Sequence, residues 1–115
     1  MIVSNHGGRQ LDEAPATADI LSEVVDAVGD RVEVYVDGGI RSAPDVAKAL
    51  ALGARGALVG RPVIWALATG GAGGVQSLLD WFAAELRRTM ALCGAPTVSD
   101  LDRSLIRRWM ESGDG

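Results

Sequence analysis

The residues best suited to chemistry stand within the first dozen positions, in the string Ser4-Asn5-His6-Gly7-Gly8-Arg9-Gln10-Leu11-Asp12. His6 and Arg9 are three residues apart, with two glycines between them. An imidazole exchanges a proton near neutral pH. A guanidinium fork holds a carboxylate through two parallel hydrogen bonds. Together they suit a small carboxylic acid with a removable proton close to its carboxylate. Taken alone, the stretch also reads as a solvated surface loop.

Two later loops share a second pattern. Asp37-Gly38-Gly39-Ile40-Arg41 and Gly60-Arg61-Pro62 each follow a short apolar run and precede a helical one. Glycines let backbone amides approach an anion, and a helix N-terminus adds favourable partial charge. Arg41 and Arg61 supply formal counter-charge. Either loop by itself is also a tight turn with a surface arginine. Two of them, one strand–helix unit apart, point to the phosphate site formed after the last strands of a (β/α)8 barrel. No Gly-x-Gly-x-x-Gly or Walker-type loop is present, so neither a Rossmann dinucleotide site nor an NTPase is indicated.

Three strand–helix units position these loops. Met1-Ile2-Val3 reads as the end of a strand, followed by the His/Arg loop and a helix entered near Thr17. In that helix Ala18, Ile20, Leu21, Val24, Val25 and Val28 recur at amphipathic spacing, and Gly29-Asp30 stops it. A second strand is predicted over 32–36. The helix after it has Ser42 or Ala43 before Pro44 in its first turn, carries Val46, Ala47, Ala49, Leu50 and Leu52, and closes at Gly53. A third strand is predicted over 56–59, then an apolar segment over 63–68 and a glycine-rich linker over 70–74. Terminal helices are predicted over 75–92 and about 98–110, the latter capped by Thr97 or Ser99. Trp65, Trp81 and Trp109 are expected to bury against the outside of a barrel, and Cys93 to be a small core residue.

Alternating strands and helices imply a parallel sheet. Function at the C-terminal end of strand after strand is the habit of the TIM (β/α)8 barrel, which needs about 250 residues for eight units. The fold expected is therefore the C-terminal portion of such a barrel, one domain over 1–115, with the motifs in 1–68 and terminal helices in 75–110. The 115 residues are 48% hydrophobic and 23% charged, an ordinary globular balance. With a net charge of −4 and no basic run longer than a pair, the chain lacks the patch that nucleic-acid binding needs. Arg87-Arg88 and Arg107-Arg108 read as solvated helix faces. One cysteine and one histidine exclude an intrachain disulfide and make a metal site improbable. No run reaches the ~18 apolar residues of a membrane span, and no secretory signal is expected, because the first residues lack a charged region followed by an apolar one. The expected location is cytoplasmic.

Read together, Ser4–Asp12, Asp37–Arg41 and Gly60–Arg61 resemble the FMN-dependent α-hydroxy acid oxidases and dehydrogenases, among them glycolate oxidase, lactate oxidase, mandelate dehydrogenase and the flavin domain of flavocytochrome b2. The resemblance runs from Met1 to about Ala68 and weakens towards Leu92. It implies FMN as cofactor and oxidation of a small (S)-2-hydroxy acid to the 2-oxo acid. It also implies oxygen, a quinone or a cytochrome as electron acceptor, and homo-oligomers among full-length relatives. His6 would be the active-site base and Arg9 the carboxylate ligand, with Ser4 on the flavin. Asp37, Gly38, Gly39, Ile40, Arg41, Gly60 and Arg61 would hold the FMN ribityl phosphate. Two departures stand beside these motifs. Glu13 follows Asp12 where members commonly have Gly, and Ala43-Pro44 replaces a Gly-containing step. A flavin-proximal Lys and substrate-facing tyrosines come from N-terminal strands in the family and lie outside this chain. Two alternatives stay open: a truncated half-barrel that binds only phosphate or pairs with another chain, and a different FMN barrel, such as a type 2 isopentenyl diphosphate isomerase or a nucleotide dehydrogenase. The His6/Arg9 pair speaks against the second.

Overall fold

The computed structural model describes residues 1–108. It contains three strands, β1 (Ile2–Val3), β2 (Tyr35–Val36) and β3 (Gly56–Ala57), which form a parallel sheet in the order β1-β2-β3. Ile2 pairs with Tyr35 and Tyr35 with Gly56; Val3 pairs with Val36 and Val36 with Ala57. The assigned strands are shorter than the predicted runs over 32–36 and 56–59. Single backbone bonds continue the ladder at both ends, from Arg55 N–H to Val34 O (2.6 Å), Asp37 N–H to Val3 O (3.1 Å) and Leu58 N–H to Val36 O (2.9 Å).

Helix α1 (Thr17–Val28) links β1 to β2, and α2 (Ala43–Ala51) links β2 to β3. Both put an apolar stripe on one face of the sheet, as three- and four-residue spacing requires. Val3, Leu21, Val34, Val36, Ala49 and Ala54 form the buried core there, flanked by Ile20, Val24, Val25, Val28 and Leu52. Period-2 alternation sends Tyr35 to the other face. Its ring lies so close to Gly56 that a Cβ there would sit 3.2 Å from two ring carbons. Helix α2 is alanine-rich because it is approached from both sides: Ala49 packs on the sheet, while Ala47 and Ala51 form a second cluster with Ala95 and Leu101, beside Leu86 and Met90.

Its N-terminus is closed by reciprocal hydrogen bonds. Ser42 Oγ accepts from Asp45 N–H (3.4 Å), and Asp45 Oδ2 accepts from the N–H groups of Ser42 (3.1 Å) and Arg41 (3.0 Å). Ala43 is fully buried and Pro44 occupies the first turn, so the Ala43-Pro44 departure is absorbed without disturbing the helix.

Helix α3 (Arg61–Leu92) corrects the predicted linker over 70–74. The helical run is interrupted at one residue, Gly71, whose φ of 60° and ψ of −149° suit glycine alone. The chain folds back so tightly that a Cβ on Gly74 would meet the Ala66 carbonyl oxygen. The helix predicted over 98–110 is also corrected. Up to residue 108 the structure has two 3-10 turns, Val98–Asp100 and Arg103–Leu105, and the remainder of that prediction, with Trp109, lies outside the described residues. Asp102 accepts from the backbone N–H of Ser104 (2.8 Å), and Asp100 accepts from that of Thr97 (2.8 Å), local bonds that compete with a continuous helix. The turns are pinned to α1 by Arg103, whose guanidinium donates to both carboxylate oxygens of Asp26 (2.8 and 3.2 Å). Trp65 and Trp81 are 53% and 46% exposed and not buried as expected, and Cys93 is an exposed thiol at the end of α3, not a core residue.

Candidate active site

All three βα loops open at the C-terminal edge of the sheet and surround one cleft of about 970 Å³. Each of the ten residues singled out from the sequence lines it: Ser4, His6, Arg9, Asp37, Gly38, Gly39, Ile40, Arg41, Gly60 and Arg61. A parallel sheet produces this convergence, because every strand delivers its following loop to the same end.

The His/Arg loop is a tight 3-10 turn over His6–Gly8. His6 has a φ of +58°, the one positive value outside glycine among the described residues, and Gly7 and Gly8 follow at +69° and +71°. Histidine tolerates the left-handed region better than most side chains, yet the conformation carries strain that such turns hold at functional sites. Arg9 N–H donates to His6 O (3.5 Å) to close the turn, and further bonds hold it. Ser4 Oγ accepts from His6 N–H (3.1 Å), Asn5 O accepts from Gly8 N–H (3.0 Å), and Asn5 Nδ2 donates to Pro15 O (3.2 Å). Ser4 therefore sets the backbone of His6 as well as lining the cleft. A Cβ on Gly7 would stand 3.9 Å from Arg9 Cγ and 4.0 Å from an Arg61 guanidinium nitrogen, so Arg61 reaches across from the third loop to the first.

The second loop is joined to the first unit by Thr17, whose hydroxyl donates to the Asp37 carbonyl. Thr17 is the one lining residue that is also buried. Gly38 and Gly39 follow at φ +99° and +73°. A Cβ on Gly38 would approach Thr17 Oγ1 to 2.9 Å, whereas Gly39 and Gly60 face open space. Among the described residues the backbone N–H groups of Gly39, Gly60 and Arg61 have no protein acceptor. Gly60 caps the N-terminus of α3, and Arg61 and Pro62 form its first turn.

The cleft is cationic although the chain is acidic overall. Arg9, Arg41 and Arg61 line it against the single carboxylate of Asp37, and none of the three makes an ion pair among the described residues. Two buried acceptors, Asn5 Oδ1 and Asp37 Oδ1, have no hydrogen-bond partner among the described residues. An unpaired buried acceptor is costly, and a ligand hydroxyl would satisfy it. The cleft thus offers amides and arginines for a phosphate, orphan acceptors for a polyol, and an imidazole beside a further guanidinium. Those are the parts a ribityl phosphate cofactor and a small acid require. Sequence reasoning misses Asn5 and Thr17: Asn5 is inside the recognised string but is a generic turn residue, and Thr17 reads as an ordinary helix start.

The model of the FMN-dependent dehydrogenase family matches residues 1–108. The chain belongs to that family. Its members are oxidoreductases that use FMN, and this chain's cleft fits that cofactor on the donor set just described. 2-Hydroxyacid oxidase 1 of Mus musculus is 53% identical over 108 residues, covering 94% of this chain and 29% of the relative. The FMN-dependent alpha-hydroxy acid dehydrogenase qulF of Penicillium citrinum is 49% identical over 114 residues, covering 99% of this chain and 28% of the relative. Among solved structures, mandelate oxidase with benzoyl-formic acid superposes with a TM-score of 0.85 at 55% identity, covering 89% of this chain and 30% of that one. The chain therefore spans under a third of the relatives it matches. None of the described helices is long and apolar enough to cross a membrane.

Proposed function

We propose that this chain supplies the catalytic His/Arg turn and the FMN phosphate site of an enzyme that oxidises a small 2-hydroxy acid to the 2-oxo acid. We further propose that its three units are the C-terminal portion of a TIM barrel. The observation that carries the reading is the placing of His6 and Arg9, on a turn held in left-handed backbone, in the same cleft as the paired glycine–arginine loops. The relatives named as 2-hydroxyacid oxidases support the substrate class.

Arg9 would clamp the substrate carboxylate and so orient the α-carbon, which converts binding into rate. His6 would take a proton from the substrate, with Nδ1 or Nε2 as the accepting atom. Asp37 and Asn5 would accept from ribityl hydroxyls through their orphan oxygens, while Arg41, Arg61 and the amides at Gly39 and Gly60 would hold the phosphate. Bound FMN supplies the two-electron sink. A relative from Arabidopsis thaliana is named as peroxisomal, which gives the cytoplasmic expectation no support.

The deciding test is His6→Gln in the full-length protein, assayed with glycolate, lactate and mandelate. Turnover should fall by about 10²–10⁴-fold while bound flavin is retained, because general-base catalysis is lost and the cofactor contacts are not. Near-normal turnover would remove His6 from the reaction. A second reading rests on the open sheet: β1 and β3 are edges in this structure, so the chain would also pair with strands supplied by another chain.

A further inference from the structure

Arg41 is held at both ends, and only one hold belongs to the phosphate loop. Its backbone N–H donates to Asp45 Oδ2 at 3.0 Å, inside the cap of α2. That same oxygen accepts from Ser42 N–H, so it is committed to the backbone. At the other end the Arg41 guanidinium carbon lies 5.9 Å from the ring centroid of Trp65, which stands on α3. Residues 61 and 65 are four apart on a helix and share a face. Long helical side chains lean towards their own N-terminus, which for Trp65 means towards the cleft. The ring is half exposed and belongs to neither core cluster.

We propose that Trp65 is a positioning residue for the phosphate site, holding the Arg41 guanidinium by cation–π contact so that it is aimed before the anion arrives. The inference rests on the reading of Arg41 as a phosphate ligand. Arginine is long and rotamer-rich, and a ligand that must first be ordered binds more weakly than one already in place. Stacking over an aromatic face restricts the side chain without consuming its N–H donors, which an ion pair with a carboxylate would do. Trp65 therefore acts through Arg41.

The test measures the affinity of the full-length apoprotein for FMN and for riboflavin, which lacks the phosphate. Trp65→Leu should lower the riboflavin-to-FMN ratio of dissociation constants by about two- to fivefold, leaving the riboflavin value unchanged. In an Arg41→Met background the same substitution should have no further effect. Trp65→Tyr and Trp65→Phe keep a ring and report the same quantity should the leucine variant fail to fold, with the ratio falling in the order Trp, Tyr or Phe, Leu. An unchanged ratio, equal losses for both ligands, or a Trp65 effect that persists without Arg41 would each overturn the proposal. If Arg41→Met itself leaves the ratio unchanged, the phosphate reading of Arg41 fails. If Arg41→Met lowers the ratio and Trp65→Leu does not, only the role of Trp65 fails.

Discussion

His6 occupies backbone space that glycine takes freely and other residues seldom do, and the two glycines after it continue the same turn. The Arg9 side chain leaves the turn beside Gly7, at ordinary contact distance. A guanidinium placed this way acts by its shape as well as its charge. Arg9→Lys should therefore raise KM and lower kcat together, by roughly tenfold or more in kcat/KM, because an ammonium cannot reproduce two parallel bonds to a carboxylate. Steady-state kinetics on 2-hydroxy acids measure this, and unchanged constants would take Arg9 out of the substrate site. At this scale the sequence was highly legible where residue types are rare and clustered. It was silent on Thr17 and Asn5, whose roles depend on carbonyls 20 and 10 residues away in sequence.

Among the elements, α1 begins and ends where spacing and Gly29 place it, since an amphipathic stripe and its stop are local properties. The failures came where the backbone depends on individual bonds and contacts that spacing and composition do not show. Five glycine-rich positions read as a linker, yet one left-handed residue, Gly71, does all the breaking and the rest remain helical. The last predicted helix lost to side chains that bond their own backbone. Gly53 illustrates the same dependence from the packing side. It follows α2 with a φ of +104°, and a Cβ there would lie 2.6 Å from Val25 Cγ1 on α1. Gly53→Ala should cost about 2–3 kcal/mol, combining backbone strain with a clash against a stiff β-branched side chain. Gly8→Ala, where a Cβ meets nothing within 4 Å, should cost only about 1 kcal/mol. Urea denaturation of the two variants gives the comparison, and equal losses would show that packing against Val25 contributes nothing.

At the scale of the molecule, the three-stranded sheet has two edges unpaired among the described residues, and its second face carries Tyr35 and the exposed Ile2. The 115-residue chain alone should associate or aggregate on size-exclusion chromatography, and added FMN should keep nearly the spectrum of free flavin. A monodisperse flavin-loaded monomer would contradict both expectations. Acid should loosen the terminal turns first. Hydrogen bonds from Arg103 hold the Asp26 carboxyl below its ordinary range, and those from Thr97 and Ser104 do the same for Asp100 and Asp102. A carboxyl with a depressed folded-state pKa contributes stability that is complete above its unfolded value, near 3.9, and is lost as pH falls through the lower folded value. Thermal melts from about pH 5 down to about pH 2.5 should show that loss, and Asp26→Asn should flatten part of the slope.

Thr17 alone belongs to both the buried core and the lining of the cleft. Gly7, Gly38 and Gly39 are bound to their left-handed turns, and the exposed lining positions outside those turns can change at less risk to folding. Libraries built on this scaffold should spare Thr17 beside those glycines, because variation there aimed at chemistry also changes a buried site.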